Sequence, residues 1–409
     1  MDASKYLIIG GGLAGGKAVE GIRKVDAEGA VTLVTAEPHR PYQRPPLSKD
    51  YLRGQAELDH VYLREPGFYP ENGVELITGA RAAALNPATR RVWLEDGREL
   101  GYEKLLLATG GRAWRLPLPG NELEGVYTLR TIDDSQRIRA AAADGASVLI
   151  LGGSFIGAEV AASLAQSGAQ VTMAFPEGRL LERVAPEPLS EWLHRLYAER
   201  GVRILPRTTA AELQGAGRVE WAVLDRGESL AAQVVVMGVG IRLNTELAQA
   251  AGLELDAQGA VVVDETLRTS DPSIYAAGDI ASWPDPTFGK RLRVEHWDVA
   301  RLQGTRAGRN MAGEERPYTA LPYFFSDLFD LSVEAWGDLA PWEQTVLRGS
   351  LEAGSFAYFY FREGRMVGAL TANRPDGERK PVQELIRARA AYDAVAARLP
   401  DESQDLAAL

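Results

Sequence analysis

Two glycine-rich loops have the residue types and spacing that bind phosphate groups. The first places Gly10, Gly12 and Gly15 in a G-x-G-x-x-G pattern directly after the apolar run 6–9. The second follows the apolar run 148–151 and reads Gly152-Gly153-Ser154-Phe155-Ile156-Gly157. A helix N-terminus offers unpaired N–H groups and a partial positive charge, and glycine lets a pyrophosphate approach the backbone. The two loops therefore predict two dinucleotide sites on one chain, which is typical of an electron-transfer enzyme.

The first loop has every part of a dinucleotide-binding unit in the required order. Leu13 and Ala14 fill its variable positions and open a helix-forming stretch. The next apolar run, 31–35, is followed by Glu37, whose carboxylate is placed to bind ribose hydroxyls. The apolar runs predict short, buried parallel strands on either side of this helix.

The second loop departs from the pattern at Ser154, which stands in place of the second glycine. Its Cβ is expected to crowd a pyrophosphate, although its hydroxyl could donate a hydrogen bond to one. Glu177 follows the next strand, and its carboxylate would repel the 2′-phosphate of NADPH, which favours NADH. Two alternatives stay open: Arg179 or Arg183 binds a 2′-phosphate, or both arginines are simply solvated.

Further buried strands and turns must position these loops. Run 104–107 leads into Ala108, Thr109 and Gly110, and run 234–237 leads towards Gly240. Run 273–276 leads into Gly278 and Asp279, which we expect at the carboxyl edge of a strand and at a helix N-terminus. Three prolines stiffen the loop 41–49, and we expect a helix to start at its Ser48. Dense aromatic residues after 321 predict a smaller domain, with a strand over 356–361 and a helix from Pro381.

These patterns predict an α/β fold with two Rossmann-like dinucleotide-binding domains and a C-terminal α+β domain. We expect a discontinuous FAD-binding domain over 1–115 and 245–320, an NADH-binding domain over 116–244, and the C-terminal domain over 321–409.

Composition excludes several kinds of chemistry. The 409 residues include no cysteine, which rules out a redox-active disulfide and a cysteine-ligated iron–sulfur cluster. The four histidines do not have metal-ligand spacing, so we expect no metal site. The net charge of −11 argues against nucleic-acid binding. No apolar run reaches bilayer length and no signal-peptide pattern is present, so we expect a cytoplasmic protein without a membrane partner.

Basic residues nevertheless cluster in two places, and each cluster could dock an acidic protein or be solvated surface charge. The first cluster consists of Lys290, Arg291, Arg293, Arg301, Arg306 and Arg309, and the second of Arg379, Lys380, Arg387 and Arg389.

Six motifs together resemble the flavoprotein reductases that bind two dinucleotides: the ferredoxin reductases of oxygenase systems, monodehydroascorbate reductase and apoptosis-inducing factor. The resemblance covers essentially the whole chain. The motifs are Arg44-Pro45-Pro46-Leu47-Ser48-Lys49, Ala108-Thr109-Gly110, Phe155-Ile156-Gly157-Ala158-Glu159, Ala277-Gly278-Asp279, Arg293-Val294-Glu295-His296-Trp297 and Phe324-Phe325-Ser326-Asp327.

The resemblance implies roles for individual residues. Arg44, Lys49 and Arg130 would contact FAD, with Lys49 near the reactive flavin nitrogen, and Asp279 would bind the ribityl chain. Glu159 would lie close to the nicotinamide and pair with Lys49. The residues that would border the flavin are Glu295, His296, Trp297 and Phe325, and Phe325 stands where several relatives carry Trp. Lys49, Glu159 and Trp297 are thus the expected catalytic residues.

The resemblance also implies the reaction: electrons pass from NADH through FAD to a ferredoxin-type iron–sulfur protein, in a monomer or homodimer. Two alternatives remain. The acceptor could be a small molecule, such as a quinone or a monodehydroascorbate-like radical. The chain could instead be an NADH-sensing interaction protein similar to apoptosis-inducing factor.

Overall fold

The computed structural model describes residues 4–143 and 145–409. In that part of the chain the strands are β1 (Ser4–Ile9), β2 (Val31–Val34), β3 (Val74–Ile77), β4 (Ala82–Asn86), β5 (Arg91–Leu94), β6 (Glu99–Leu107), β7 (Gly111–Ala113), β8 (Val126–Thr128), β9 (Ser147–Leu151), β10 (Gln170–Phe175), β11 (Arg203–Pro206), β12 (Ala210–Gln214), β13 (Trp221–Leu224), β14 (Ser229–Ala231), β15 (Val234–Met237), β16 (Ile241–Leu243), β17 (Val261–Val262), β18 (Ile274–Ala276), β19 (Ala281–Asp285), β20 (Lys290–Leu292), β21 (Tyr323–Leu328), β22 (Leu331–Gly337), β23 (Gln344–Ser350), β24 (Ser355–Arg362) and β25 (Arg365–Ala372).

The helices in the same residues are α1 (Leu13–Arg23), α2 (Leu58–Val61), α3 (Phe68–Glu71), α4 (Ile132–Ala141), α5 (Phe155–Gln166), α6 (Glu187–Glu199), α7 (Glu246–Ala250), α8 (Trp297–Met311), α9 (Asp376–Arg387) and α10 (Tyr392–Val395). Short 3₁₀ helices cover Pro45–Ser48 and Leu406–Ala408.

The chain divides into two compact units. The first unit comprises the segment up to Gln43, Leu58–Arg112 and Arg242–Pro322. Its central sheet has the parallel order β3-β2-β1-β6, and β18 pairs parallel with β6. Ile9 is in register with Val34 and Leu107. Because the strands are parallel, their carboxyl ends meet at one edge, where ligands bind in such sheets.

Close packing of α1 on α8 fixes the position of the first glycine loop. A Cβ on Gly304 would lie 2.2 Å from the carbonyl oxygen of Ala14, and a Cβ on Gly308 would lie 2.2 Å from that of Ala18. These glycines of α8 therefore touch the backbone of α1 directly. The N-terminus of α1 is held against the sheet on one side and against α8 on the other.

The second unit comprises Arg44–Glu57, Ala113–Ile241 and Tyr323–Leu409. One of its sheets has the parallel order β11-β10-β9-β15-β8. Strand β9 lies between β10 and β15, so the order along the chain reverses at the end of β9. The loop after β9 is thus at a topological switch point, where doubly wound sheets bind ligands.

The C-terminal part of the second unit is an antiparallel sheet of order β21-β22-β25-β24-β23, followed by α9 and α10. Phe356, Phe359 and Phe361 on β24 are fully buried. The parallel sheets and this α+β region confirm the predicted fold class. The predicted three-domain boundaries stay a prediction.

Three local expectations were wrong. Ser48 ends a 3₁₀ helix rather than starting a helix, because Pro45 and Pro46 already fix its first turn. Asp279 follows the carboxyl end of β18 as expected, but no helix starts there. It lies in a turn closed by a 2.9 Å hydrogen bond from the Ala281 N–H to the Gly278 carbonyl, and the chain continues as β19. Helix α9 begins five residues before Pro381, since its first turn carries Asp376 and Glu378, which suit a helix N-terminus.

None of the helices in residues 4–143 and 145–409 combines the length and the apolar character needed to cross a bilayer. The same residues contain no group of three or more His, Cys, Asp or Glu side chains that could hold a metal ion.

Candidate functional site

The first glycine loop closes tightly between β1 and α1. Gly10 has φ +120°, and a Cβ there would lie 2.1 Å from the Ala108 carbonyl oxygen. A Cβ on Gly15 would lie only 1.9 Å from the Gly10 carbonyl oxygen. Gly12 is the extended N-cap of α1, whose first three residues are Leu13, Ala14 and Gly15. The loop thus presents backbone rather than side chains at the N-terminus of α1.

The other predicted residues of the first unit are positioned by short hydrogen bonds. The Glu37 carboxylate follows β2 and accepts a hydrogen bond of 2.6 Å from the Tyr42 hydroxyl. Thr109, between Ala108 and Gly110 after β6, donates its hydroxyl to the Asn244 carbonyl at 2.6 Å. These groups lie at the carboxyl ends of β2 and β6, the two parallel strands that flank β1, as a dinucleotide site requires.

A buried donor without a partner lies beside Gly278. The Gly278 N–H donates to Gln303 Oε1 at 2.9 Å, and a Cβ on Gly278 would approach that of Ala14 to 3.3 Å. Gln303 is fully buried, and its Nε2 has no hydrogen-bond partner among the described residues. An unsatisfied buried amide is costly unless a ligand accepts from it. This donor and the side-chain-free loop fit the polar chain of a flavin dinucleotide.

Glu295, His296 and Trp297 lie at the start of α8. His296 is the N-cap residue, and its Nδ1 accepts from the Asp298 N–H at 3.4 Å. Glu295 pairs with Arg293 at 2.5 Å, and the Arg301 guanidinium lies 5.4 Å from the centre of the Trp297 ring. The helix start therefore orders these side chains, while their contacts with a cofactor stay predictions.

The second glycine loop repeats the geometry of the first. Gly152 has φ +125°, and a Cβ on Gly157 would lie 2.3 Å from the Gly152 carbonyl oxygen. Gly153 packs against a ring, since a Cβ there would lie 2.8 Å from the Phe175 side chain. Ser154 differs from expectation: its hydroxyl donates to the Gly238 carbonyl at 3.0 Å, which gives it a partner within the protein.

Replacing Ser154 with glycine is expected to lower the Michaelis constant for NADH, because it removes the Cβ at the N-cap of α5. Ser154→Ala separates the two contributions, since it keeps the Cβ and loses only the hydrogen bond to Gly238. Steady-state kinetics with varied NADH should show a lower Michaelis constant for Ser154→Gly, but not for Ser154→Ala, than for the unchanged protein. An unchanged or raised value with Ser154→Gly would reject the steric argument.

Glu159 is the centre of a buried polar cluster in the second unit. It lies on the first turns of α5 and is 4% exposed. Lys49 Nζ donates to its Oε1 at 2.7 Å, so the expected ion pair is present. Ser48 donates to Oε2 at 2.5 Å, and Ser326 of β21 donates to Oε1 at 2.6 Å. Three donors from two chain segments, Ser48-Lys49 and β21, thus hold one carboxylate in place, which compensates its burial.

An aromatic ring lies beside this Glu159 cluster, and two further contacts occur in the other predicted residues of the second unit. Lys49 Nζ lies 5.5 Å from the centre of the Phe325 ring, within cation–π range. Phe155, which precedes exposed Ile156 on α5, packs edge-on against Phe324 at 5.0 Å. Arg44 and Arg130 also meet: the Arg44 Nε donates to the Arg130 carbonyl at 3.0 Å.

The segment after β10 carries Glu177 and is tied down by several contacts. Its Leu180 N–H donates to His194 Nε2 at 2.9 Å, and burial lowers the pKa of His194, which favours the neutral acceptor form. The Arg207 N–H donates to the Glu177 carbonyl at 2.9 Å. Farther along the sheet edge, the Gly240 carbonyl accepts from the Trp114 N–H at 2.9 Å.

Sequence reasoning did not single out Ser48, Ser326, Gln303 or Arg207 as candidate site residues. Ser48 and Ser326 stood inside two of the quoted motifs, so their hydroxyls could have been proposed as partners for a buried carboxylate. No sequence pattern predicted a role for Gln303 or Arg207. The position of Gln303 depends on the packing of α8 against α1, and that of Arg207 depends on strand pairing and on its positive φ.

Comparison with known proteins agrees with this architecture. Residues 4–304 match the family model described as pyridine nucleotide-disulphide oxidoreductase, and residues 323–409 match the model described as reductase C-terminal. The chain is 38% identical over 378 residues to the ferredoxin–NAD(+) reductase component of the anthranilate 1,2-dioxygenase system of Burkholderia cepacia, covering 91% of this chain and 92% of that protein.

Two further comparisons concern putidaredoxin reductase. The Pseudomonas putida protein is 34% identical over 382 residues, covering 92% of this chain and 90% of its own length. The crystal structure of a covalent putidaredoxin reductase–putidaredoxin complex contains a chain with a TM-score of 0.93 and 32% identity. That match covers 99% of this chain and 98% of the other.

Proposed function

The chain belongs to the pyridine nucleotide-disulphide oxidoreductase family, and from this premise we propose that it is an FAD-dependent NADH reductase whose acceptor is a ferredoxin-type iron–sulfur protein. The observation that carries the proposal is the buried Lys49–Glu159 pair beside the second glycine loop. Full-length similarity to ferredoxin–NAD(+) reductases of oxygenase systems supports the choice of acceptor.

The residues of the first unit fit FAD. The loop Gly10–Gly15 would hold the pyrophosphate, Glu37 the ribose, and Asp279 with the orphaned Gln303 amide the polar chain. When bound, FAD supplies two-electron acceptance from a nicotinamide and one-electron delivery to an acceptor. The loop Gly152–Gly157 would hold the NADH pyrophosphate, and Glu177 its adenosine ribose.

Lys49 and Glu159 act through charge and position. Lys49 presents a cation that is only 9% exposed, so its field is weakly screened by water. Glu159 fixes this ammonium and is itself fixed by the hydroxyls of Ser48 and Ser326. This rigid arrangement would favour negative charge developing nearby and orient a nicotinamide at the N-terminus of α5.

The absence of cysteine in the sequence supports an external acceptor, because the chain cannot form a disulfide of its own. Most arginines of the first basic cluster already have acidic partners, such as Arg301 with Asp298 at 2.6 Å. Glu314, however, is shared by Arg306, Arg309 and Arg316, so this end of α8 keeps an excess of positive charge. We expect an acidic iron–sulfur protein to use this surface, with a rate that falls as salt rises.

Stopped-flow absorbance tests the proposed function. The flavin-loaded protein is mixed anaerobically with NADH and then with an oxidised ferredoxin of an oxygenase system. We expect fast bleaching of the flavin band, then fast reoxidation that slows with added salt.

The other outcomes favour the alternatives. Fast bleaching of the flavin band, with electron transfer to a quinone but not to ferredoxin, favours a small-molecule acceptor. A stable long-wavelength band together with an NADH-dependent change in hydrodynamic radius favours the sensing role. No bleaching with NADH rejects the proposed function.

A further inference from the structure

Arg207 lies beside Glu177 at the edge where the second sheet is expected to bind the adenosine ribose. Strands β10 and β11 pair in parallel, with Phe175 in register with Pro206, so both chains leave the sheet side by side. The Arg207 N–H donates to the Glu177 carbonyl at 2.9 Å, and the Thr208 N–H donates to the Phe175 carbonyl at 2.9 Å. An acidic and a basic side chain are thus tied to one another through their backbones.

The guanidinium of Arg207 lies over Gly178 and is available to a ligand. A Cβ built on Gly178 would be 3.5 Å from Arg207 Nη2 and 3.6 Å from Nε. Within residues 4–143 and 145–409, the structure gives this guanidinium no ion pair or hydrogen bond, and gives the Glu177 carboxylate none either. The side chain of Arg207 is exposed. Arg207 therefore presents an exposed cation beside the half-buried Glu177. Glu182 Oε1 would lie 3.7 Å from the same Cβ, but it makes no ion pair with Arg207 within 4 Å.

The backbone of Arg207 is unusual for its residue type. Its φ of +50° lies in the left-handed region, which bulky side chains rarely adopt. Glycine would adopt this angle without strain. This angle sets the direction in which the Arg207 side chain leaves the turn, and glycine is the substitution that preserves it.

The neighbouring arginines are less suitable as ligands. Arg179 pairs with Glu182 at 3.6 Å and with Glu187 at 3.3 Å, so its charge is already compensated. Arg226 donates to the Arg207 carbonyl at 3.0 Å and thereby supports the turn. Arg183 is exposed and lies six residues beyond Glu177. Arg207 is the cation whose position beside Glu177 is fixed by the sheet.

We propose that Arg207 binds the 2′-phosphate of NADPH, so that NADPH is a second electron donor for this chain, weaker than NADH. The inference rests on the proposed function. Glu177 would bind the ribose diol of NADH and disfavour NADPH, whereas Arg207 would offset part of that repulsion by pairing with the phosphate. Dual use of the two donors then follows from two adjacent side chains of opposite charge.

The test compares 2′,5′-ADP with 5′-ADP by calorimetric titration of the flavin-loaded protein. Arg207→Gly is the decisive variant, because glycine keeps the positive φ while it removes the side chain that carries the cation. We expect this variant to weaken 2′,5′-ADP binding relative to 5′-ADP by about 10–100-fold. The ratio of kcat/KM for NADPH to that for NADH in flavin reduction should fall by a similar factor.

Arg90→Gly is the matched control. Arg90 is exposed and has φ +53°, so the substitution removes the same charge at a similar backbone angle in the turn between β4 and β5. Arg90→Gly should leave two ratios at their wild-type values: the affinity for 2′,5′-ADP relative to 5′-ADP, and kcat/KM for NADPH relative to NADH. Arg183→Gln asks whether the other exposed arginine is the phosphate ligand instead.

Three results would overturn the inference. The binding of 2′,5′-ADP relative to 5′-ADP could be unchanged in Arg207→Gly, or it could be weakened in Arg183→Gln instead. The binding of both nucleotides could also be weakened equally in Arg207→Gly. The last result would mean that Arg207 only moderates the charge of Glu177. Nucleotide binding is measured without turnover, so a failure of NADH to reduce the flavin would reject the proposed function separately.

Discussion

Replacing Lys49 with methionine is expected to lower the free energy of unfolding by about 3–5 kcal/mol, because it leaves a buried carboxylate without its counter-ion. Glu159 is 4% exposed, and only the hydroxyls of Ser48 and Ser326 would remain to hold it. Flavin reduction by NADH should also slow by about 10–100-fold, since a preorganised cation is lost. Urea-induced unfolding followed by tryptophan fluorescence measures the first effect, and stopped-flow absorbance measures the second.

The double variant Lys49→Met with Glu159→Leu separates stability from catalysis. Removing both charges should restore most of the lost unfolding free energy, because an apolar pair of similar volume is often as stable as a buried ion pair. The slow flavin reduction should persist.

Lys380→Met is the matched control. Its pair with Glu384 spans 3.6 Å with the Lys380 side chain 86% exposed, so the change should cost less than about 1 kcal/mol. Equal destabilisation by Lys49→Met and Lys380→Met would contradict the role given to burial.

Replacing Gly15 with alanine is expected to produce a protein that is purified largely without flavin. The added Cβ would lie 1.9 Å from the Gly10 carbonyl oxygen, and the two backbones cannot both keep their places. Overpacking of this kind costs about 1–3 kcal/mol, which corresponds to roughly 10–100-fold weaker binding when the strain falls on the phosphate loop. The ratio of absorbance at the flavin band to protein absorbance after gel filtration gives the retained cofactor.

Gly377→Ala is the control for this experiment. Gly377 is also helical, on α9, and a Cβ there meets no atom within 4 Å. The variant should keep its full flavin content and its stability. A normally coloured Gly15→Ala protein would show that the loop can shift, and that the close contact with Gly10 does not govern binding.

Much of the fold could be predicted from sequence because its signals are local. The apolar runs before Gly10 and Gly152 form the parallel strands β1 and β9, and both loops open helices where the spacing predicted them. The dense aromatics after 321 form the strands of the C-terminal sheet. Local signals were misleading where two of them competed. At Ser48, a helix-capping residue, the preceding prolines formed a 3₁₀ helix that ends at this residue. In α9, the acidic residues Asp376 and Glu378 occupy the first turn, and Pro381 lies inside the helix.

The sequence by itself determined the two glycine loops, since the spacing of glycines and the preceding strand are enough to specify a strand–loop–helix turn. Only the tertiary structure decided what holds Glu159: Ser48 and Ser326 are 111 and 167 residues away along the chain. The same holds for Arg207, whose neighbourhood with Glu177 depends on the pairing of β10 with β11. The spacing of glycines determines the local backbone of a six-residue loop. Hydrogen bonds between segments that are distant in sequence form only when the sheets and helices have packed.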